Sequence, residues 1–252
     1  MAKDSKGNWF SYEWNVRGEQ ALFTVDTSYE EPAAGYETLL YCAASPRDPA
    51  MEAFTPKAMR HIVRLEKKLV KALPEAKYLG NILMDALEQF YFYVPDGDAA
   101  VDAVNYAARK EKLLRVTPGT ANEPDWLTYH ALLLPDAAKY QTEFNAELIE
   151  RLRRKGDGLT TVRRLTFFMC FPSEQTRLLF QEQAKENNFA IGEPQFRPEL
   201  ELPHVLTIHA LSSLNKPDVD KLTTRAIYAA EAFNGELLRW SCPVMPKRSP
   251  LT

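Results

Sequence analysis

The sequence predicts an α+β protein: two β-α-β-β-α-β units in tandem, each an antiparallel sheet with two helices on one face, the first preceded by a β-hairpin. Three observations predict it. The stretch Val162–Phe171 is rich in β-branched and aromatic residues, and its alternate members Leu165, Phe167, Met169 and Phe171 are all apolar, as a strand lying under helices requires. The order of strand and helix signals that begins at Glu37 begins again at Val162. The chain has 252 residues, 45% hydrophobic and 26% charged, which suits two domains that each bury a core.

In chain order, Trp9–Val16 and Gln20–Asp26 read as strands joined by Arg17-Gly18-Glu19, a short glycine-containing turn. Glu37–Ala44 is a strand. Thr55-Pro56 supplies an N-cap and a first-turn proline for a helix that runs to Leu73, with Met59, Ile62, Val63, Leu69, Val70 and Leu73 as its inner face. Strands follow at Tyr78–Met84 and Gln89–Val94. Pro95-Asp96-Gly97-Asp98 turns the chain into a helix over Ala99–Lys112, with Val101, Val104 and Ala108 inward. Thr117–Pro124 reads as loop and Trp126–Leu134 as the unit's last strand. Pro135-Asp136 starts a third helix, with Ala137, Tyr140, Phe144, Leu148 and Leu152 at helical spacing. Its cationic end, Arg151 to Lys155, suits a helix C-terminus, and Gly156-Asp157-Gly158 marks the domain boundary.

In the second half, Pro172 stops the Val162–Phe171 strand and Ser173 caps a helix that Asn187-Asn188 ends, with Leu179, Phe180 and Ala184 on one stripe. Ala190–Phe196 and His204–Leu211 are strands. Pro217-Asp218 opens a helix with Val219, Leu222, Ala226, Ala230 and Phe233 inward. Asn234-Gly235 caps it, and Glu236–Val244 is the last strand, followed by a tail over Met245–Thr252. Two such units are ferredoxin-like sandwiches, one over residues 8–150 and one over 156–246. The sheet face away from the helices is then solvated, covered by the hairpin, or used.

A formal net charge of -3 argues against a strongly basic nucleic-acid binder but leaves room for a local basic patch. Met1–Gly7 lacks an apolar core, so no signal peptide is expected, and no apolar run reaches membrane-span length. Cys42, Cys170 and Cys242 are odd in number and far apart, which fits free thiols in a cytoplasmic protein.

Gly156-Asp157, Phe171-Pro172-Ser173-Glu174, Asn188-Phe189, Asn234-Gly235-Glu236 and Trp240, in that order and spacing, resemble the regulator of ribonuclease activity B family. Asn8–Glu150 is similar to an uncharacterised bacterial domain found upstream of such modules, through Trp9-Phe10-Ser11-Tyr12-Glu13, Leu40-Tyr41 and Phe90-Tyr91-Phe92-Tyr93-Val94. The resemblance implies a small cytoplasmic, ferredoxin-like protein that is not an enzyme; the residues themselves show no cofactor motif and no cysteine pair at metal-ligand spacing, so no cofactor or metal is expected. The resemblance also implies a protein partner: the namesake binds and inhibits ribonuclease E.

The open face of the second sheet is the candidate binding site. Alternation places Arg164, Thr166, Phe168, Thr207, His209 and Arg239 there, a set able to grip an anionic or peptide partner; a solvated or interface-buried face is the plainer meaning. The alternative function is direct RNA binding. Lys57, Arg60, Arg64, Lys67, Lys68 and Lys71 form a basic stripe able to meet phosphate, and Tyr91 and Tyr93 are placed to stack bases; a solvated helix face and packed aromatics are the plainer readings. Cys170 and His204 invite a nucleophile–base pair, but alternation puts them on opposite faces. Asp96-Gly97-Asp98 lacks the later ligands of a calcium loop and reads as a turn and cap.

Overall fold

The computed structural model describes residues 7–246. The expectations for Met1–Lys6 and for the tail beyond Pro246 lie outside the described residues. The fold is α+β, with one six-stranded and one four-stranded sheet, each fully antiparallel. Two compact units divide at Pro135/Asp136.

In the first unit, β1 (Trp9–Val16) and β2 (Glu19–Asp26) form the expected hairpin. Arg17 and Gly18 both have positive φ, the geometry of a two-residue turn whose twist matches the strands it joins. β3 (Thr38–Pro46), α1 (Pro56–Ala72), β4 (Lys77–Met84), β5 (Leu87–Val94), α2 (Gly97–Ala108) and β6 (Leu114–Asn122) follow. The sheet order β1-β2-β4-β5-β3-β6 is the ferredoxin-like arrangement with the hairpin added at the β4 edge. The hairpin therefore lengthens the sheet. The β2–β4 seam depends on Gly80 at φ 139, where a Cβ would lie 2.0 Å from the Thr24 carbonyl oxygen.

Two expectations fail together here. Thr117–Pro124 is mostly strand, and Trp126–Leu134 is not. β6 contains Pro118-Gly119, which reads as loop. On an edge strand a proline's missing N–H costs no ladder bond, and Gly119 leaves room for the Tyr41 ring, which a Cβ would meet at 2.4 Å. The apolar run 126–134 forms instead a single π-helical turn, Thr128–Leu133, closed by Leu134 N–H donating to the Tyr129 carbonyl at 2.9 Å. Trp126, Tyr129 and Leu133 are buried at three- and four-residue spacing, a helical period.

This segment roofs the sheet face opposite the helices. Trp126 stacks on Tyr93 with ring centroids 4.3 Å apart, its indole N–H donates to the Tyr36 carbonyl at 2.7 Å, and Tyr12 Oη donates to the Leu133 carbonyl at 2.9 Å. The unit thus has two cores. Leu40, Cys42, Phe90 and Phe92 lie under α1 and α2, whereas Phe23, Leu39, Tyr91 and Tyr93 lie under the roof. On α1 the inner face is Ala58, Ile62, Leu65 and Leu69. Val63 and Val70, expected inside, are 43% and 40% exposed.

In the second unit, α3 (Ala137–Arg154) precedes β7 (Arg163–Phe171), α4 (Glu174–Glu186), β8 (Ala190–Phe196), β9 (His204–Ser212), α5 (Lys216–Glu231) and β10 (Glu236–Ser241). The order β10-β7-β9-β8 is again ferredoxin-like. Leu165, Phe167, Met169, Phe171, Leu206, Ile208 and Trp240 pack with Phe180, Ala184, Val219 and Ala226 in one core. The sequence places the boundary at Gly156–Gly158 and counts α3 with the first half; the division falls before α3 because α3 packs on α5.

The buried stripe of α3 is Ala138, Thr142, Asn145, Ile149 and Leu152, so Tyr140 and Phe144, expected inside, face out. Asn145 explains the rotation. Its Nδ2 donates to Asp220 Oδ1 at 2.8 Å and Thr223 Oγ1 at 2.9 Å, and its Oδ1 accepts from Trp240 Nε1 at 2.7 Å and Gln141 Nε2 at 2.9 Å. A fully satisfied buried amide binds the added helix to α5 and β10. Leu179 on α4 is also exposed, beside exposed Leu178; Arg177, Phe180 and Ala184 are the buried residues.

Where β7 begins, the buried Arg163 and Asp157 side chains pair. Asp157 also accepts from the Leu159 and Met245 amides, fastening the segment after β10 to the loop before β7. Burial pushes the Asp157 carboxyl up, but Arg163 and the two amides outweigh it and hold its pKa at about 2.

Candidate functional site

Strand pairing fixes the sheet face turned away from α4 and α5. Thr166 is opposite His209, Phe168 is opposite Thr207 on β9 and Arg239 on β10, and Arg164 is opposite Leu211. All six residues that alternation assigns to this face are on it. Thr166 Oγ1 lies 3.0 Å from His209 Nδ1. Burial, reinforced by the Arg164 charge, lowers the His209 pKa below its ordinary value and favours the neutral ring. The Arg239 guanidinium sits 3.9 Å from the Phe168 ring centre, a cation–π contact. Thr207 donates to the Glu193 carbonyl at 3.4 Å. A β-bulge between Leu237 and Arg239 turns Arg239 onto this face while Trp240 enters the core.

Two residues of the face escaped the sequence reading. Gly192 on β8 provides clearance: a Cβ there would lie 2.3 Å from Thr207 Oγ1 and 2.6 Å from His209 Nε2. Leu211 is 74% exposed, a large apolar side chain next to Arg164. Its signal was available, since a leucine on the polar side of an alternating strand breaks the pattern. The surface thus offers two exposed guanidiniums, a neutral imidazole, an aromatic ring and an exposed leucine. Guanidinium groups can hydrogen-bond carboxylates, and an aromatic ring and a leucine can contact apolar side chains.

The other candidates separate. Phe171 pairs with His204 and Cys170 with Val205, so the nucleophile–base pair does not form, and burial followed by the Glu236 charge raises the Cys170 pKa. Burial alone raises the Cys42 pKa to about 12. Lys57, Arg60, Arg64, Lys67, Lys68 and Lys71 are all exposed on α1. Tyr91 and Tyr93 are not available to stack bases: both are buried beneath the roof, and Tyr93 donates to Glu123 Oε2 at 2.8 Å. Their outward side in the alternation faces this second core. Asp96 caps α2, accepting from the Ala99 amide at 3.0 Å. No helix among the described residues is long and apolar enough to cross a membrane.

Comparison with known proteins gives two family matches. Residues 142–242 match regulator of ribonuclease activity B, and residues 7–134 match a family of unknown function (DUF695). No curated protein matches the chain. A solved structure described as an unknown protein from Galdieria sulphuraria is 9% identical over 83% of this chain and 98% of its own, at a TM-score of 0.22, a likeness too low to bear on fold or function. The first match spans a second unit whose sheet order is ferredoxin-like, and the second spans half of the chain; the protein belongs to the DUF695 family and carries a regulator of ribonuclease activity B module behind that domain.

Proposed function

We propose that this protein is a non-catalytic cytoplasmic regulator that binds and inhibits an RNA-processing ribonuclease of the ribonuclease E type, through the open face of the four-stranded sheet. The family match of residues 142–242 supports the regulatory class. The observation that carries the binding site is the uncovered grouping of Arg164, Phe168, His209, Leu211 and Arg239 on one sheet face. The corresponding face of the first unit is roofed by its π-helical segment and offers no such group. Thr166 and His209 are in contact, but no carboxylate hydrogen-bonds the imidazole to orient it among the described residues.

The test measures cleavage of a labelled RNA by purified ribonuclease E with and without the protein, together with direct binding by calorimetry. Wild type binds and slows cleavage. Arg164→Glu combined with Arg239→Glu, both exposed, weakens binding by about 10-fold or more, as reversing charge at an interface does. Unchanged binding and inhibition by the double variant would remove the sheet face, and absence of any effect of wild type would remove the regulatory reading.

A further inference from the structure

We infer that the outer face of α1 is a docking rail for the phosphate backbone of RNA. Six exposed cations, Lys57, Arg60, Arg64, Lys67, Lys68 and Lys71, follow one side of this helix over about 21 Å. No carboxylate among the described residues forms an ion pair with any of them. The only acid of the helix, Glu66, turns to the sheet and accepts from Tyr78 Oη at 3.0 Å.

On other helices several surface cations are paired with acids of their own helix. On α3, Arg153 and Arg154 share Glu150; on α4, Lys185 pairs with Glu182; on α5, Lys216 pairs with Asp220. Those are solvated faces of mixed charge. On α1 the cations stand one turn apart with nothing between them, so they repel each other, and Lys57 and Arg60 occupy the end where the helix dipole disfavours positive charge. A chain of net charge -3 has no general excess of cations to account for this.

The rail is rigid. Thr55 caps it, accepting from the Ala58 amide at 3.1 Å, and Ile62, Leu65 and Leu69 anchor it in the core. His61 Nδ1 lies 2.8 Å from Glu111 Oε1, which fastens beside α1 a loop bearing exposed Lys110 and Lys112.

The remaining chemistry of the face selects the partner. Val63 and Val70 are its only exposed apolar residues on α1. It therefore lacks the leucine and aromatic wedge of a membrane-seated helix and the aromatic anchors of a protein hot spot. Tyr91 and Tyr93 are buried and α1 itself carries no Phe, Tyr or Trp, so the rail offers charge and no ring on which to stack bases, and its recognition is of the phosphate backbone. The choice of RNA over DNA rests on the ribonuclease reading above.

The test is fluorescence anisotropy of the full chain, without nuclease, against a labelled RNA duplex of about 20 base pairs and a single strand of equal length. With six phosphates neutralised, log K against log salt should fall with a slope of about −4 to −5.5, a loss of roughly 300- to 2,000-fold between about 50 and 200 mM salt. Replacing Arg64, Lys67, Lys68 and Lys71 together by Ala should flatten that slope by about 3 and abolish binding at the higher salt. Arg153→Ala with Arg154→Ala and Lys185→Ala, which removes paired cations elsewhere, should leave affinity unchanged, as should Lys67→Arg with Lys68→Arg.

Absence of RNA binding at low salt, or equal loss in the α3–α4 control, overturns the proposal. So does tighter binding to vesicles of mixed phosphatidylcholine and phosphatidylglycerol, to polyglutamate, or to a DNA duplex. Each of these results leaves the inhibition assay untouched, so the two readings fail separately.

Discussion

Replacing Asn145 by leucine removes four hydrogen bonds from one buried point, and the structure says how much each loss costs. Asp220 is partly exposed and keeps Lys216 at 2.8 Å, and Thr223 Oγ1 still donates to the Val219 carbonyl at 3.1 Å, so both lose little. Gln141 is partly exposed and can turn to water. The Trp240 indole N–H has no such recourse, because the ring is buried in the core between β10 and α3. An unmet buried donor costs about 1–3 kcal/mol, and the altered packing adds about 1, so the second unit should lose roughly 2–4 kcal/mol. Adding Trp240→Phe removes the stranded donor, so the double variant should be more stable than the sum of the singles by about 1 kcal/mol or more. A chain of two units need not unfold in one step, so the measurement is hydrogen exchange by mass spectrometry, read on peptides of α3, α5 and β10. If their protection changes by less than about 0.5 kcal/mol, or the two substitutions simply add, Asn145 is not the tie between α3 and the rest of its unit.

Three further outcomes are expected. The Asp157 carboxyl, held at about 2 against an ordinary 3.8, contributes stability that is present above pH 3.8 and lost as pH falls toward 2; wild type should lose about 2 kcal/mol over that window in denaturant titrations and Asp157→Asn should not. Glu88 has the opposite sign: burial first and Glu66 second raise its pKa to about 8, so the folded form holds a proton that the unfolded form releases near 4.5, and stability falls as pH rises between these values. The melting temperature of Glu88→Gln should accordingly gain on that of wild type from pH 4.5 to pH 8, and a constant difference would count against a protonated Glu88. Tyr91→Phe and Tyr93→Phe should leave RNA affinity within about twofold in the anisotropy assay, since neither ring reaches solvent, while Tyr93→Phe lowers stability by about 1 kcal/mol through its lost bond to Glu123.

Alternation was the most informative property of the sequence. On β7, β9 and β10 it sorted Phe167 and Met169 from Thr166 and Phe168, and placed Arg164, Thr207, His209 and Arg239 on the candidate face with them. The same test misread 126–134, where an unbroken apolar run fits a buried strand and a helical turn equally well. Pro118-Gly119 concealed β6, because edge position and the nearby Tyr41 ring, neither legible locally, make those residues acceptable in a strand. On α3 the apolar stripe pointed one way and a polar network turned the helix another. Asn145 in a linear sequence shows at most Gln141, one turn back, of its four partners, since the other three lie on α5 and β10. The closeness of Thr166 to His209 was implied by their common face, but the clearance provided by Gly192 required the register.

Gly80 has a consequence for the molecule's amino-terminal hairpin. A methyl group at that position would strike the Thr24 carbonyl, yet it would leave β4 bonded to β5 and the helices seated above them. One hydrogen atom in place of a carbon thus lets the two-stranded extension close against the four-stranded sandwich. With a side chain there the β2–β4 ladder would open at its Val25 end, while the Tyr12 and Tyr129 hydroxyls still tie the hairpin to the roof, and the bared stretch of β4 would be open to pairing with another strand.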